Sequence, residues 1–343
     1  MTFTPDYSRQ LSLNGMGEAQ QQQLYQSTVL VFGAGGLGVT ALSYLAAAGV
    51  GRITVVDPDC IEPSNLHRQT IYQTTDVGKL KVDVAALYLA KRNPLCEIKT
   101  ISKIPDLSDL HQLCTGHDIV LDCTDDTSFS YLLNSLCLVT KTICVFANAV
   151  GLEGQLFALH PHQSEPCYNC LWPRGQSQGD SCNQVGVLGP VPGILGCLQA
   201  LESIKILTGQ KNSLLGELLY CDFSHYRFSS IRIPKSEHCC HHLTLEDIRQ
   251  SEESSLTPNV VSIADINHRD WIIIDIRSGL EIAENPCPME HLHLEAHGLL
   301  SNPTLHLSRQ NQYLIVCATG KRSTQICSTL RREGFLASPA KIN

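Results

Sequence analysis

A glycine run set between an apolar strand and a small-residue helix constrains this chain more than any other feature. Ser27–Phe32 (STVLVF) is a short apolar stretch, Gly33-Ala34-Gly35-Gly36-Leu37-Gly38 follows at once, and Leu37–Val50 has the composition of a closely packed helix. A strand that turns through glycines into a helix presents backbone N–H groups at the positive helix end. Phosphate oxygens reach them there without side-chain obstruction. Asp57 closes the next apolar run, Ile53–Val56, nineteen positions after Gly38. That is the placement of an acid that accepts from a ribose hydroxyl. The pattern specifies a nucleotide and does not separate ATP from NAD.

Strand and helix signals keep alternating. Lys79–Lys91 has helical spacing and is closed by Asn93-Pro94; Asp118–Leu121 and Ile143–Ala147 are further apolar strands. The expected fold is α/β, a Rossmann-like, mostly parallel sheet with helices on both faces. Leu198–Leu207 reads as an amphipathic helix that supports the core and a dimer. Composition breaks after Leu243, and Gln250–Asn259 (QSEESSLTPN) is polar and turn-rich. Beyond it, Trp271–Ile276 and Tyr313–Val316 read as buried strands and Ser323–Glu333 as a helix. The expected organisation is a nucleotide-binding domain over 1–245, a linker over 246–258 and a small α/β domain over 259–343.

The residues after the second strand separate the two nucleotides. Ser64-Asn65-Leu66-His67-Arg68-Gln69 and Gly78-Lys79-Leu80-Lys81 place cations near the loop. A dinucleotide site needs no such cluster. Attack at the α-phosphate of a triphosphate builds negative charge there and on the leaving pyrophosphate, and preplaced cations stabilise both. Asp125, in Leu121–Asp126 (LDCTDD), stands at a strand end where it can hold Mg2+. The net charge of 25 − 33 = −8 argues against nucleic acid as the main partner. The start of the chain lacks a signal peptide, and the longest small-apolar stretch, Leu42–Val50, is too short to span a bilayer. The expectation is a soluble cytoplasmic protein without a membrane partner.

Tyr7-Ser8-Arg9-Gln10, GAGGLG, Asp57-Pro58-Asp59, SNLHRQ, Gly78–Lys81 and LDCTDD occur in order over residues 6–242. Together they closely resemble the ThiF/MoeB/HesA family of adenylyltransferases, relatives of the ubiquitin-activating enzymes. The resemblance implies that Gly33, Gly35, Gly36 and Gly38 cradle ATP, that Asp57 binds ribose with Asp59 in the same nucleotide-binding set, and that Asn65, Arg68 and Lys81 contact phosphates. It also implies that Asp125 binds Mg2+ or the reacting groups, and that Arg9 reaches the ATP of the neighbouring subunit in a homodimer. Where the family has Asp-Asn, this chain has Asp125-Asp126; Asp tolerates a tight turn as Asn does, so the expected effect is small.

Sixteen cysteines in a reducing compartment point to metal ligation or thiol chemistry rather than a disulfide framework. Cys96, Cys114, Cys137, Cys144 and Cys197 lie in apolar or helical runs and read as small core residues. Cys167-Tyr168-Asn169-Cys170 suits two corners of a tetrahedral zinc site, or a redox pair. The family resemblance implies structural Zn2+ with a second Cys-x2-Cys further on. This chain has Glu237-His238-Cys239-Cys240-His241-His242 instead, in which Cys239 and His242 have Cys-x2-His spacing. The expected ligands are Cys167, Cys170, Cys239 and His242, with Cys240 replacing one partner as the alternative. The stretch from Cys170-Leu171-Trp172-Pro173 to Cys182 and Gly186–Pro190 looks most like the thiamine-pathway branch, ThiF. There the cysteine at the position of Cys182 joins the carrier through sulfur.

Cys317-Ala318-Thr319-Gly320-Lys321-Arg322-Ser323 follows an apolar strand and opens a helix, a loop that aims backbone N–H groups and cations at a sulfur. It resembles the active-site loop of rhodanese domains, and Asp275-Ile276-Arg277 resembles their early Asp-x-Arg motif. The usual Gly-His-Ile segment is replaced by Cys287–Gly298. The expected function is ATP-dependent adenylylation of the C-terminal Gly carboxylate of a ubiquitin-like, ThiS-like sulfur carrier ending in Gly-Gly. Persulfide sulfur then comes from Cys317, through Cys182, with a cysteine desulfurase as its source. A MoaD-like or Urm1-like carrier, a non-catalytic zinc or sulfur-relay protein and an NAD-dependent oxidoreductase are the other readings.

Overall fold

The computed structural model describes residues 5–162, 165–173, 186–211, 213–237, 239–256, 261–263, 271–294, 296, 299, 303–308, 311–332 and 335–342. The chain divides into two compact units, Met1–Ile248 and Arg249–Asn343.

In the first unit, successive residues of β1 (Thr28–Phe32) are buried on opposite sides. Val29 and Val31 lie in one apolar cluster, Leu30 and Phe32 in another. A strand covered on both faces needs a continuous apolar run, which is why TVLVF shows no alternation. Arg52–Val56 (β2), Glu97–Ile101 (β3), Ile119–Asp122 (β4) and Ile143–Val150 (β5) join it in parallel, in the order β3-β2-β1-β4-β5. Glu153–Leu159 (β6), Glu217–Asp222 (β7) and Arg227–Arg232 (β8) extend the sheet antiparallel. The mostly parallel, helix-covered sheet is the architecture expected from the sequence; the antiparallel extension was not foreseen.

Helices cover both faces. Short α1 (Ser8–Leu11) and α2 (Glu18–Gln26) precede β1, and α3 (Gly36–Ala48) follows it. Lys81–Arg92 (α4), Leu107–Thr115 (α5), Thr127–Thr140 (α6), Tyr168–Leu171 (α7) and Pro190–Leu207 (α8) complete the unit, with Leu245–Leu256 (α9) at the boundary. Leu42 and Leu45 of α3 and Leu195 and Ala200 of α8 fill one face; Leu110 of α5 and Leu133 and Leu136 of α6 fill the other. Strand order reverses between β1 and β4, so their carboxyl ends open a crevice, the usual ligand position in such sheets.

Burial pushes the thiols of Cys144 and Cys221 up to about 11 and that of Cys96 up to about 12, as expected of small core residues. Cys114 and Cys137 are also buried, whereas Cys197 is half-buried.

The stretch expected as a linker is largely helical, because Thr244 and Asp247 cap α9 reciprocally. Asp247 N donates to Thr244 Oγ1 (3.2 Å) and Thr244 N to Asp247 Oδ2 (2.8 Å). Glu, Gln and Arg are helix formers, so this polar composition sustains a helix rather than a turn.

The second unit is a five-stranded, wholly parallel sheet of Val261–Ser262 (β9), Ile272–Asp275 (β10), Leu292–His293 (β11), Gln312–Cys317 (β12) and Leu336–Lys341 (β13), in the order β11-β10-β12-β13-β9. Gly279–Glu284 (α10), Pro303–His306 (α11) and Lys321–Arg332 (α12) accompany it. Its core holds Ile274, Ile315, Ile326 and Leu330. Among the described residues no helix is long and apolar enough to cross a membrane.

Candidate active site

The glycines of the first loop answer separate geometric demands. Gly33 has φ +92°, and a Cβ there would stand 2.7 Å from Cys123 O, at the end of β4. At Gly38 a Cβ would stand 1.9 Å from Gly33 O. Both positions therefore exclude a side chain. At Gly35, by contrast, a Cβ meets only Gln69 Nε2 at 3.8 Å. The protein tolerates a side chain there, so the free space belongs to what lies against the loop.

Asp57, 5% exposed, ends β2 beneath this loop. Its Oδ2 accepts from Ala34 N (2.7 Å) and its Oδ1 from Asp59 N (2.9 Å). Burial raises its pKa, opposed by the Ala34 N–H and then by Lys81. Lys81, 6% exposed at the start of α4, donates from Nζ to Asp59 Oδ2 (2.8 Å), with Asp57 Oδ1 at 3.9 Å. Lys81 N also donates to Asp59 O (3.0 Å). A buried lysine held by two carboxylates is a fixed positive point beside the glycine loop.

Arg68 comes to the same place. A Cβ at Gly36 would lie 3.5 Å from Arg68 Cγ and 3.1 Å from Pro192. The Arg68 Nη1 donates to Ser64 O (2.8 Å). Asn65 is turned inward: its Oδ1 accepts from Glu62 N (3.1 Å), which shapes the turn carrying Arg68.

Asp125 is exposed on the turn between β4 and α6 and lines a cavity with Ser130, Asn148, Gln155, Tyr168 and Trp172. Behind it, buried Asp122 accepts from Thr124 N (3.0 Å) and from Ser130 Oγ (2.5 Å), and burial pushes its pKa up to about 6. Asp126 caps α6, accepting from Ser128 N (2.9 Å) and Phe129 N (3.2 Å). Its charge is spent on the helix start, so the second acid of the Asp-Asp pair carries a structural task.

Arg9 is exposed on α1. α1 is tied to the far end of α3: Gln10 Nε2 donates to Ala48 O (3.0 Å) and Asn93 Nδ2 to Tyr7 OH (3.0 Å). Thirteen residues of α3 put that end about 20 Å from the glycine loop. Cys182 lies outside the described residues.

Sequence reasoning passed over Gln69. It is buried, its Oε1 has no hydrogen-bond partner among the described residues, and its Nε2 borders Gly35. The signal was its position directly after Arg68, one step along a turn already marked.

A second cluster joins α7 to the segment after β8. The Sγ atoms of Cys167 and Cys170 are 3.8 Å apart, and the ligand atoms of Cys167, Cys239 and His241 all lie within 4.8 Å of one another. Cys239 Sγ is 2.8 Å from His241 Nδ1, while His241 Nε2 is buried without a partner among the described residues. Cys167 Sγ accepts from Cys240 N (3.5 Å) and Cys170 Sγ from Ser236 N (3.5 Å). Cys240 Sγ instead accepts from Asn169 Nδ2 (2.9 Å). Hydrogen bonds, first from Cys240, hold the Cys167 thiol below the usual range. The sequence expectation named His242, which is exposed; the imidazole that lies with Cys167 and Cys239 is that of His241. Backbone at 239–240 is irregular rather than helical, and the imidazole that meets the Cys239 thiol is the one two positions on.

In the second unit, Cys317 ends β12 and is wholly buried. Its Sγ accepts from Gly320 N (3.1 Å) and Ser323 N (3.4 Å). Arg322 pairs with Glu281, Nη1 to Oε2 at 3.2 Å. Asp275 and Arg277 form a buried ion pair, Nη2 to Oδ2 at 2.7 Å, and Arg277 Nη1 donates to Asn285 O (2.8 Å).

A glycine loop at the sheet's switch point, an acid on the next strand and a caged lysine beside it define a domain that binds a phosphate-rich nucleotide. The chain belongs to the ThiF family, whose model matches residues 7–242. It is 39% identical over 237 residues to "Adenylyltransferase and sulfurtransferase MOCS3" of Drosophila virilis, covering 68% of this chain and 52% of that protein. It is 38% identical over 233 residues to "Sulfur carrier protein ThiS adenylyltransferase" of Escherichia coli K12, covering 68% of this chain and 92% of that protein. The chain thus spans about half the length of the MOCS3 relatives it matches. Among solved structures, E. coli MccB with ATP is similar at TM-score 0.55 and 26% identity, covering 64% of this chain and 68% of that one. Another MccB structure reaches TM-score 0.60 at 25% identity, covering 69% and 72%.

Proposed function

We propose that this chain is an ATP-dependent adenylyltransferase that activates the C-terminal Gly carboxylate of a ubiquitin-like sulfur-carrier protein. The observation that carries the reading is Lys81, buried between Asp57 and Asp59 beside the glycine loop that Arg68 overlies. A carboxylate oxygen of the carrier attacks the α-phosphorus, the bond to the β-phosphate oxygen breaks, and pyrophosphate leaves as the acyl-adenylate forms. Lys81 and Arg68 stabilise the charge that develops on the phosphates without reorganising. Asp57 accepts from the ribose, and exposed Asp125 offers a carboxylate suited to Mg2+, which neutralises phosphate charge when bound. Arg9 is exposed on α1, which Gln10 ties to the far end of α3, about 20 Å of helix from the glycine loop; it serves the site of a second copy in a homodimer.

The carrier is ThiS-like in this reading, supported by the E. coli relative whose length the match nearly fills. A MoaD-like or Urm1-like carrier is the second reading, favoured by the MOCS3 relatives, whose names pair adenylyltransferase with sulfurtransferase. Cys317, on its rhodanese-like loop, then takes sulfane sulfur from a cysteine desulfurase; its persulfide displaces AMP from the acyl-adenylate, and a second thiol, that of Cys182 in this reading, attacks the acyl disulfide to release the thiocarboxylate and form a disulfide with Cys317. The test is ATP–pyrophosphate exchange with purified carriers ending in Gly-Gly. Exchange with a ThiS-like carrier alone supports the first reading, and exchange with a MoaD-like or Urm1-like carrier the second. Silence with all of them, in protein that binds ATP, would sink the activity.

The cysteine cluster suits Zn2+: two thiols and an imidazole converge, the Cys170 thiol lies 3.8 Å from that of Cys167, and His241 Nε2 is buried without a partner among the described residues. Cys167, Cys170, Cys239 and His241 would hold it as a structural ion. Metal analysis should find one zinc per chain, lost in His241→Ala and retained in His242→Ala; the reverse pattern would refute the assignment.

A further inference from the structure

The hydroxyl of Tyr72 is buried between the glycine loop and the segment carrying Lys81, yet no role in the reaction falls to it. Its ring is buried among Val39 of α3, Ile61 and Ala85 of α4. Its OH donates to Ala34 O at 2.8 Å, and Lys81 O lies at 3.4 Å. Burial, and then the charge of Asp57, pushes its pKa well above the ordinary phenol range, so it remains a donor.

A trans peptide is planar, and its C=O and N–H point to opposite sides. Holding the Ala34 carbonyl inward against Tyr72 therefore turns the Gly35 N–H away from Tyr72, and around Gly35 a Cβ would meet only Gln69 Nε2 at 3.8 Å. The preceding peptide is fixed from its other end, because Ala34 N–H donates to Asp57 Oδ2. Two successive peptide planes are thus oriented by two buried side chains. The one set by Tyr72 presents a donor to the ligand.

We propose that Tyr72 is a positioning residue of the nucleotide site: its phenol orients the Ala34–Gly35 peptide so that the Gly35 N–H meets a phosphate of ATP. This rests on the adenylyltransferase reading. It also ties the loop to the segment carrying Lys81, so the neutral and charged phosphate donors are set as one unit.

The experiment compares ATP with adenosine, by calorimetric titration of the full chain and of Tyr72→Phe. Loss of the hydroxyl should weaken ATP binding about tenfold and leave adenosine binding unchanged, since only the phosphates meet the Gly35 amide. Equal weakening of both ligands, or unchanged ATP binding in folded Tyr72→Phe, would overturn the role of Tyr72 while leaving the enzyme class intact. A wild-type chain that binds no ATP would overturn both. A second measurement does not depend on the variant folding. In wild-type chain labelled with 15N-glycine and 15N-alanine, inorganic pyrophosphate should shift the Gly35 amide signal and leave that of Ala34, held by Asp57, in place. A shift of Ala34 with Gly35 unmoved would refute the orientation.

Discussion

Each unit contains a strand that ends in a loop opening straight into a helix, and the two loops hold opposite things. After β1, Gly33–Gly38 carries no side chain beyond the Ala34 methyl before Leu37, and the space at Gly35 is open. After β12, the equivalent space is filled by Cys317 Sγ, on which Gly320 N and Ser323 N converge at 3.1 and 3.4 Å. Backbone N–H groups at a helix start favour negative charge in either case. The residue at the strand end then decides whether the loop receives a group from outside or surrounds an atom of its own chain.

Their supports differ in the same sense. The first loop is fixed from beneath by Asp57 and Tyr72, which leaves its outer side clear. The second is closed from behind, with Ser323 Oγ donating to Gly320 O (3.0 Å) and lying 2.9 Å from Ala340 O of β13.

The comparison is broken most readily by asking whether the units depend on each other. Arg277→Met strands the buried Asp275 carboxylate and should cost the second unit about 3–5 kcal/mol. Calorimetry should show a separate, lowered transition with ATP–pyrophosphate exchange retained; loss of exchange would show that the units are coupled. Next in size, Lys81→Ala should lower exchange by about 10²–10³-fold, roughly 2.7–4 kcal/mol, while leaving the transition of the second unit in place. Cys317→Ser sharpens the contrast: exchange should continue while thiocarboxylate formation on the carrier stops.

The smallest effect concerns Glu281. Arg322, then the Ser278 N–H, pushes its pKa down to about 2 from 4.5. A folded-state pKa below the unfolded one stabilises fully above about pH 4.5 and is lost as pH falls toward 2. The pair is largely exposed, so screening keeps the contribution under about 1 kcal/mol. The difference in melting between wild type and Glu281→Gln should shrink across that window; a constant difference would remove the ion pair as its cause.

Legibility in the sequence followed the same division. Four of the five parallel strands could be read because burial on both faces demands unbroken apolar runs such as TVLVF and ITVV; β3 (EIKTI), an edge strand with no fully buried residue, was missed. β8 (RFSSIR) is exposed along its whole length, so no apolar pattern betrays it. The candidate nucleotide site was legible because its glycines, Asp57, Arg68 and Lys81 lie in short contiguous motifs whose spacing has a geometric meaning. His241 drew no attention in the sequence because Cys-x2-His spacing presumes a regular backbone, and the backbone at 239–240 is irregular. Tyr72 and Gln69 were missed because a buried phenol or amide in an apolar segment looks like packing until its polar atom is located.

The tether of α1 at the far end of α3 bears on how mutant chains behave together. Two inactive proteins, one with Arg9→Ala and one with Lys81→Ala, complement each other if each active centre draws Arg9 from one chain and Lys81 from the other. Random pairing makes half of the dimers hybrids, and each hybrid rebuilds one centre out of two. A mixture of two dead enzymes should then recover about a quarter of the wild-type rate, a figure set by counting centres and independent of the strength of any bond.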